Sequence, residues 1–287
     1  MTASREAPPN LRSLTTRIEN LSRERGRQVK RIQRAIANIV VGQMLPAGVV
    51  KGGTAMKVRV GEEASRFTPD LDASRDHSLT LEDYLDRLDE GLAEGWGGFT
   101  GTITRLPAPQ PDGVPEEYVM QPFDIRLAYR DRHWLTVRFE LGRDEVGSTK
   151  EVETRLAQDI LDLFSAIGLL VPQPLPVLAV EHQIAQKLHA CTSVNPKTGA
   201  NERAHDLVDL QVLEQEERID MTAVDAVATR LFDARRGTPW PPTVRAYEGW
   251  DTIYASAADG LDVLQDVHAA VEWANYFIAR ATGREPA

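Results

Sequence analysis

The chain has 287 residues, 42% of them hydrophobic and 26% charged, enough apolar material for one large core or two ordinary ones, which excludes wholesale disorder. Its single cysteine, Cys191, excludes an internal disulfide framework and a Cys-rich zinc site, and reads as a small buried residue in a reducing, cytoplasmic compartment. The net charge of -10 argues against a nucleic-acid partner in the sum. The distribution is uneven, however: residues 1–34 hold nine Lys/Arg and three Glu, a surplus of six positive charges that leaves the rest of the chain at -16. That permits either a basic strip on an acidic body or a solvated helix face.

In chain order, the polar start MTASREAPPN has no apolar signal core, and AIGLLVPQPLPVLAV is too short and proline-rich to cross a membrane. Leu11, Leu14, Ile18 and Leu21, then Val29, Ile32, Ile36 and Val40, recur at helical spacing, and Gly26 separates or bends the two stretches. A short β-branched run, 46–51, leads to Gly52-Gly53 and a helix TAMKVRV closed by Gly61. RFTPDLD, residues 66–72, reads as a second strand. LTLEDYLDRLDEGLAEGW is helical, opened by Thr80 with Asp83. FTGTITRL, PFDIRLAYR and HWLTVRFEL are three more strands, the first two joined by the turn-rich APQPDGVPEE. From Ser148 onward helices dominate, with proline breaks at PQPLP and TPWPP. The expected fold class is α+β: a mixed-sheet domain with flanking helices over residues 1–147, then a mostly helical part over 148–287.

Two motifs carry chemistry. Lys51-Gly52-Gly53-Thr54 lies between a strand and a helix start, where glycines let the backbone approach a ligand and successive N–H groups receive an anion. Thr54 can add a hydroxyl. In Asp70-Leu71-Asp72, strand geometry points both carboxylates to one side and Leu71 to the other. Two like charges so close oppose each other's ionisation, and a divalent cation such as Mg²⁺ or Mn²⁺ relieves that cost. Either motif alone also reads as a plain turn or a cap. A glycine turn, an Asp-x-Asp strand and a later acidic strand together resemble the polymerase-β-type nucleotidyltransferases. There the third acid would be Glu140 of VRFELG, which reads equally well as an exposed residue of an alternating strand.

KGGTAMKVR, RFTPDLD, VEHQIAQKLHA and RAHDLVDL follow in this order and resemble the four motifs of the AbiEii/AbiGii toxin family, which includes the MenT toxins. The resemblance spans roughly residues 47–213. It implies that Gly52 and Gly53 bind phosphate, that Asp70 and Asp72 bind metal, that Lys187 serves the triphosphate, and that Asp209 or Asp206 is the fourth-motif acid. The family often has Gly-Ser where this chain has Gly-Gly-Thr. Asp206 and Asp209 share one helical face, as do Arg203 and Asp206. Arg66 suits a phosphate or a nearby acid equally. His182, His189 and His205 form no recognisable metal set.

The implied activity is Mg²⁺-dependent transfer of NMP from an NTP, with pyrophosphate released, by the toxin of a toxin–antitoxin pair. Its partners would be the NTP, a cognate antitoxin and an RNA acceptor, the tRNA 3′ end above all, whose modification would block translation. Arg27, Lys30, Arg31 and Arg34 offer a phosphate-tracking strip. Phosphorylation of Thr68, two residues before Asp70, would add about -1.5 to -2 charges beside the metal site; an ordinary strand threonine is the plainer reading. The alternatives are the same chemistry on a protein or small-molecule acceptor, and a catalytically silent nucleotide-binding regulator.

Overall fold

The computed structural model describes residues 6–109, 119–195, 197–235 and 237–284. The two N-terminal apolar stretches form α1 (Leu11–Arg25) and α2 (Val29–Gly42). Asn10 caps α1 by accepting from the Ser13 N–H, and Gly26 ends it in a left-handed turn at φ 61°. β1 (Gly48–Lys51) runs straight into α3 (Gly52–Val60), which Gly61 closes. β2 (Leu71–Arg75) starts later than the alternation of RFTPDLD suggests, because residues 66–70 are extended but unpaired. Thr80 caps α4 (Leu81–Glu94) at Asp83 as expected. β3 (Phe99–Arg105), β4 (Gln121–Tyr129) and β5 (Arg132–Gly142) follow. Most of the turn-rich APQPDGVPEE connection lies outside the described residues.

The chain then adds β6 (Val152–Arg155), α5 (Gln158–Ile167) and β7 (Leu175–Leu178) before the helices α6 (Val180–Thr192), α7 (His205–Glu216), α8 (Met221–Arg235), α9 (Trp250–Ala258) and α10 (Val267–Thr282). All seven strands join one mixed sheet in the order β3-β4-β5-β2-β1-β7-β6. β2 is antiparallel to β1 and parallel to β5; β7 is parallel to β1. The α+β class holds. The expected division at 147/148 does not coincide with the packing: β6 and β7 lie beyond it yet complete the sheet. One apolar cluster, from Leu14 to Val177, fills the space between the sheet and α1, α2, α4 and α5, while a second gathers Met56 and the residues from Val180 to Ala281. The changeover therefore falls between Val177 and Val180. The three prolines of PQPLP hide the four-residue strand from a periodicity reading.

Arg59 of α3 ties the two clusters together. Its buried guanidinium pairs with Glu153 at 2.9 Å and Glu217 at 3.2 Å, and donates to the Leu178 carbonyl at 2.7 Å. Such a charge is tolerated in an interior only when it is paired, although among the described residues the Nε of Arg59 finds no partner. Among the described residues no helix is long and apolar enough to cross a membrane.

Candidate active site

Register decides which acids meet. Lys51 stands opposite Asp72 across β1 and β2, and Asp72 stands opposite Glu140 across β2 and β5. Directly paired residues present their side chains to the same face, so Glu140 joins Asp72 there, with Asp70 two residues earlier along the same chain. Leu71 points the other way and is fully buried in the first cluster. Among the described residues none of these three carboxylates accepts a hydrogen bond. Burial, then Glu140 and Asp70, push the Asp72 carboxyl up to about 6 against the opposing charge of Lys51. Burial also raises Glu140, with Asp70 adding to it. Asp70 is raised by burial too, and Arg34 and Arg138 work the other way.

The glycine turn packs directly on this group. Gly52 has φ +61°, and a Cβ there would fall 2.0 Å from Asp72 Oδ2. A Cβ on Gly53 would fall 2.1 Å from Thr68 Oγ1. Lys51, the N-cap of α3, makes no side-chain cap, so the first-turn N–H groups are free to meet an anion. Gly52→Ala is expected to cut transfer roughly a hundredfold by displacing the Asp72 carboxylate, since misplacement by about 1 Å costs that much. Steady-state assay at saturating NTP checks this, and full activity would show that the close approach is dispensable.

Thr54 does not face the ligand. Its hydroxyl is fully buried, donating to the Asp70 carbonyl at 3.0 Å and accepting from Asn38 Nδ2 at 3.1 Å. Asn38 also donates to that carbonyl at 3.1 Å, so this pair fixes the backbone of Asp70 rather than a phosphate. The expected role of Thr54 as a phosphate donor is therefore corrected.

On the other side of the turn, α6 and α7 bring Lys187 to both candidate acids. Its Nζ lies 3.0 Å from Asp206 Oδ1 and 2.5 Å from Asp209 Oδ2. Arg66 forks onto Asp209, with Nε 3.1 Å from each oxygen, and Arg203 Nε reaches Asp206 at 2.8 Å. Of the two uses open to Arg66, the structure realises the acid pair. Burial would raise both aspartates, but Lys187 and Arg203 outweigh it at Asp206, and Arg66 and Lys187 at Asp209, holding both below the usual carboxylate range. Gln183 of α6 donates to the Gly52 carbonyl at 3.3 Å, linking this cluster to the glycine turn.

The basic strip is not intact. Arg31 turns inward to Glu62 and the Ser65 carbonyl, and Arg34 donates to the Thr136 carbonyl of β5 at 2.7 Å. Lys30 stays exposed, over the Phe67 ring at 6.0 Å, and Arg27 is half-buried. Helical spacing alone could not separate the inward pair from the other two. Thr68 is 6% exposed beneath Gly53 and its Oγ1 has no hydrogen-bond partner. A kinase cannot reach it in this conformation, so the expected phosphorylation switch meets a physical obstacle.

Four residues near the acids carried no role of their own in the sequence. Lys51 is a buried cation whose pKa burial lowers, while Glu145, Asp72 and Glu140 pull it back up. Glu145 pairs with Arg235 at 2.7 Å, and Arg138 lies two residues from Glu140 on the same face of β5. The strand position of Lys51, i+2 from Val49, was the available signal; its partners depend on which strands pair.

Among the described residues no three His, Cys, Asp or Glu side chains stand close enough to form a ready ligand set. The donor chemistry nevertheless fits a small hard cation. Asp70 and Asp72 offer unbonded oxygens, and such a cation takes one or two protein carboxylates and completes its shell with phosphate oxygens and water.

A mixed sheet bearing paired acids beside a glycine-rich helix start defines a nucleotidyltransferase. Residues 34–277 match the family described as "Nucleotidyl transferase AbiEii toxin, Type IV TA system", so the chain belongs to the AbiEii family of nucleotidyltransferase toxins. No curated protein matches the chain. Among solved structures it is similar to MenT4, a nucleotidyltransferase toxin from Mycobacterium tuberculosis H37Rv, at 19% identity and a TM-score of 0.52, over 93% of this chain and 99% of that one. That likeness concerns the fold.

Proposed function

We propose that this toxin transfers NMP from an NTP to the 3′ end of an RNA, tRNA above all, in a Mg²⁺-dependent reaction that blocks translation until a cognate antitoxin restrains it. The observation that carries the reading is the convergence of Asp70, Asp72 and Glu140 on one sheet face against the Gly52–Gly53 turn. An acceptor hydroxyl attacks the α-phosphorus of the NTP. A new O–P bond forms, the bond to the bridging oxygen breaks, pyrophosphate leaves with the electron pair, and the hydroxyl proton passes to water. Asp70 and Asp72, with Glu140 beside them, would hold the metal, which neutralises charge on the triphosphate and activates the attacking oxygen when bound. The α3 N–H groups after Gly52 and Gly53 receive phosphate oxygens. Lys187 and Arg66, oriented by Asp206 and Asp209, would turn their remaining N–H donors to the triphosphate, so catalysis is mainly positioning and electrostatics. A tRNA-directed enzyme works in the cytoplasm, where the buried Cys191 stays reduced.

The test is incubation of the purified protein with total RNA, Mg²⁺ and each α-labelled NTP in turn. Label in a tRNA-sized band is the expected result. Label only in protein or in a small molecule would overturn the acceptor, and label nowhere would favour the silent regulator.

A further inference from the structure

In-line displacement places the entering and leaving oxygens on opposite sides of the α-phosphorus. The glycine turn that receives the triphosphate lies at β1 and α3, whereas the acids lie on β2 and β5. The leaving pyrophosphate thus occupies the β1 side, and the acceptor has to enter over β5, β4 and β3. That face of the sheet is open. Along β4 and β5 Phe123, Ile125, Val137 and Phe139 are buried on one side, while Arg126 and Arg138 are exposed on the other. Cross-strand register joins the outward residues into one surface: Arg138 opposite Asp124, Arg126 opposite Thr136, and Thr102 and Thr104 of β3 beyond them.

We propose that the open face of β3–β4–β5 is the docking track for the single-stranded 3′ end of the RNA acceptor, with Arg138 and Arg126 holding successive backbone phosphates. This deepens the acceptor reading above and rests on it. Arg138 is two residues from Glu140 on the same strand face, roughly 7 Å away, and Arg126 sits one strand further out, the scale of one nucleotide step. Among the described residues Arg138 makes one ion pair, to Asp124 at 3.5 Å with both side chains well exposed, a pair that yields readily to a phosphate. Arg126 makes no ion pair or side-chain hydrogen bond among the described residues. Exposed threonines add neutral donors without sequence preference. The charge fits a polyanion: two exposed guanidinium groups, one of them only loosely paired, lead to an acid cluster that a metal would neutralise. The α2 strip is the weaker rival, since two of its four cations are turned to the protein's own backbone.

The experiment compares Arg126→Ala/Arg138→Ala with Arg27→Ala/Lys30→Ala, measuring KM for RNA, KM for NTP and the salt dependence of RNA binding. The sheet variant is expected to raise KM for RNA on the order of tenfold and to flatten the log–log salt slope by about 0.7 per arginine, and Arg126→Ala alone, further from the acids, is expected to raise KM for RNA with KM for NTP unmoved. Both side chains are exposed, so folding is unaffected, and restoring both positions as lysine should recover part of the binding. An unchanged KM for RNA in a wild-type background that labels RNA would overturn the track alone. A rise confined to KM for NTP, or to the α2 variant, would do the same. If the wild type labels no RNA, the acceptor reading falls and the track falls with it.

Discussion

Asp72→Asn is expected to lower nucleotidyl transfer on the order of a thousandfold or more while raising thermal stability in metal-free buffer. The activity loss follows from removing a carboxylate from the acid group that would hold the metal against the triphosphate. The stability gain follows from burial. The folded-state pKa of Asp72 is raised from an ordinary 3.8 to about 6, so the folded chain holds that proton more tightly than the unfolded one. Below pH 3.8 the carboxyl is protonated in both states and carries no penalty; the cost of the buried charge grows as pH rises, reaching its full size above about pH 6. At about 1.4 kcal/mol per tenfold change in proton affinity, the neutral-pH cost is at most about 3 kcal/mol. Asparagine keeps the shape and removes the charge, so melting followed by circular dichroism should shift upward by several degrees in EDTA. Added Mg²⁺ should stabilise the wild type and leave the variant where it was. Undiminished transfer by Asp72→Asn would sink the mechanism; a lower melting point would show that the carboxylate is structurally paired.

Lys187→Ala is expected to abolish transfer and also to destabilise the fold, by about 3 kcal/mol at neutral pH. Lys187 is 5% exposed and lies between two aspartates, Asp206 at 0% and Asp209 at 1%. Removing it leaves those carboxylates facing each other with only Arg203 and Arg66 as partners, and unpaired buried charge is among the costliest defects. The pH dependence has a definite sign. In the wild type both carboxyls are held below the usual range, so their stabilisation is present above about pH 4 and is lost as pH falls beneath it. In the variant the same carboxyls are pushed up, so the deficit against the wild type is largest at neutral pH and shrinks toward pH 5. Urea unfolding of both proteins at pH 7.5 and pH 5 measures it. Equal deficits at the two pH values would mean that Lys187 packs rather than neutralises. Lys187→Arg keeps the charge and separates the two losses, since it should recover stability ahead of activity.

Much of this protein was legible in its sequence. Helical spacing at Leu14, Ile18 and Ile32, the Gly26 stop, the Thr80 cap and the alternation in β3 to β5 are local properties, readable within a turn or a strand. The acid pair and the glycine turn were equally plain, because period two along a strand places Asp70 and Asp72 on one side whatever else the chain does. Other features depend on contacts far apart in sequence. Glu140 meets Asp72 only because β5 lies parallel beside β2, and Lys51 meets Asp72 because β1 flanks β2 on its other side. Thr54 looked like a ligand donor and instead holds Asp70 through Asn38, a residue of another helix. Arg31 and Arg34 shared a face with Lys30 on paper, but the loop carrying Glu62 and Ser65 and the Thr136 carbonyl of β5 drew them inward.

Residue type and local period thus determined the elements, the chemistry-bearing motifs and the kind of ligand they suit. Tertiary structure alone decided strand order, the placing of Glu140 opposite Asp72, the mutual neutralisation of Lys187, Asp206, Asp209 and Arg66, and which cations stay exposed. The physical reason is the cost of burying charge. Each buried ionic group must find a partner, and only the folded arrangement says which group is close enough to be one.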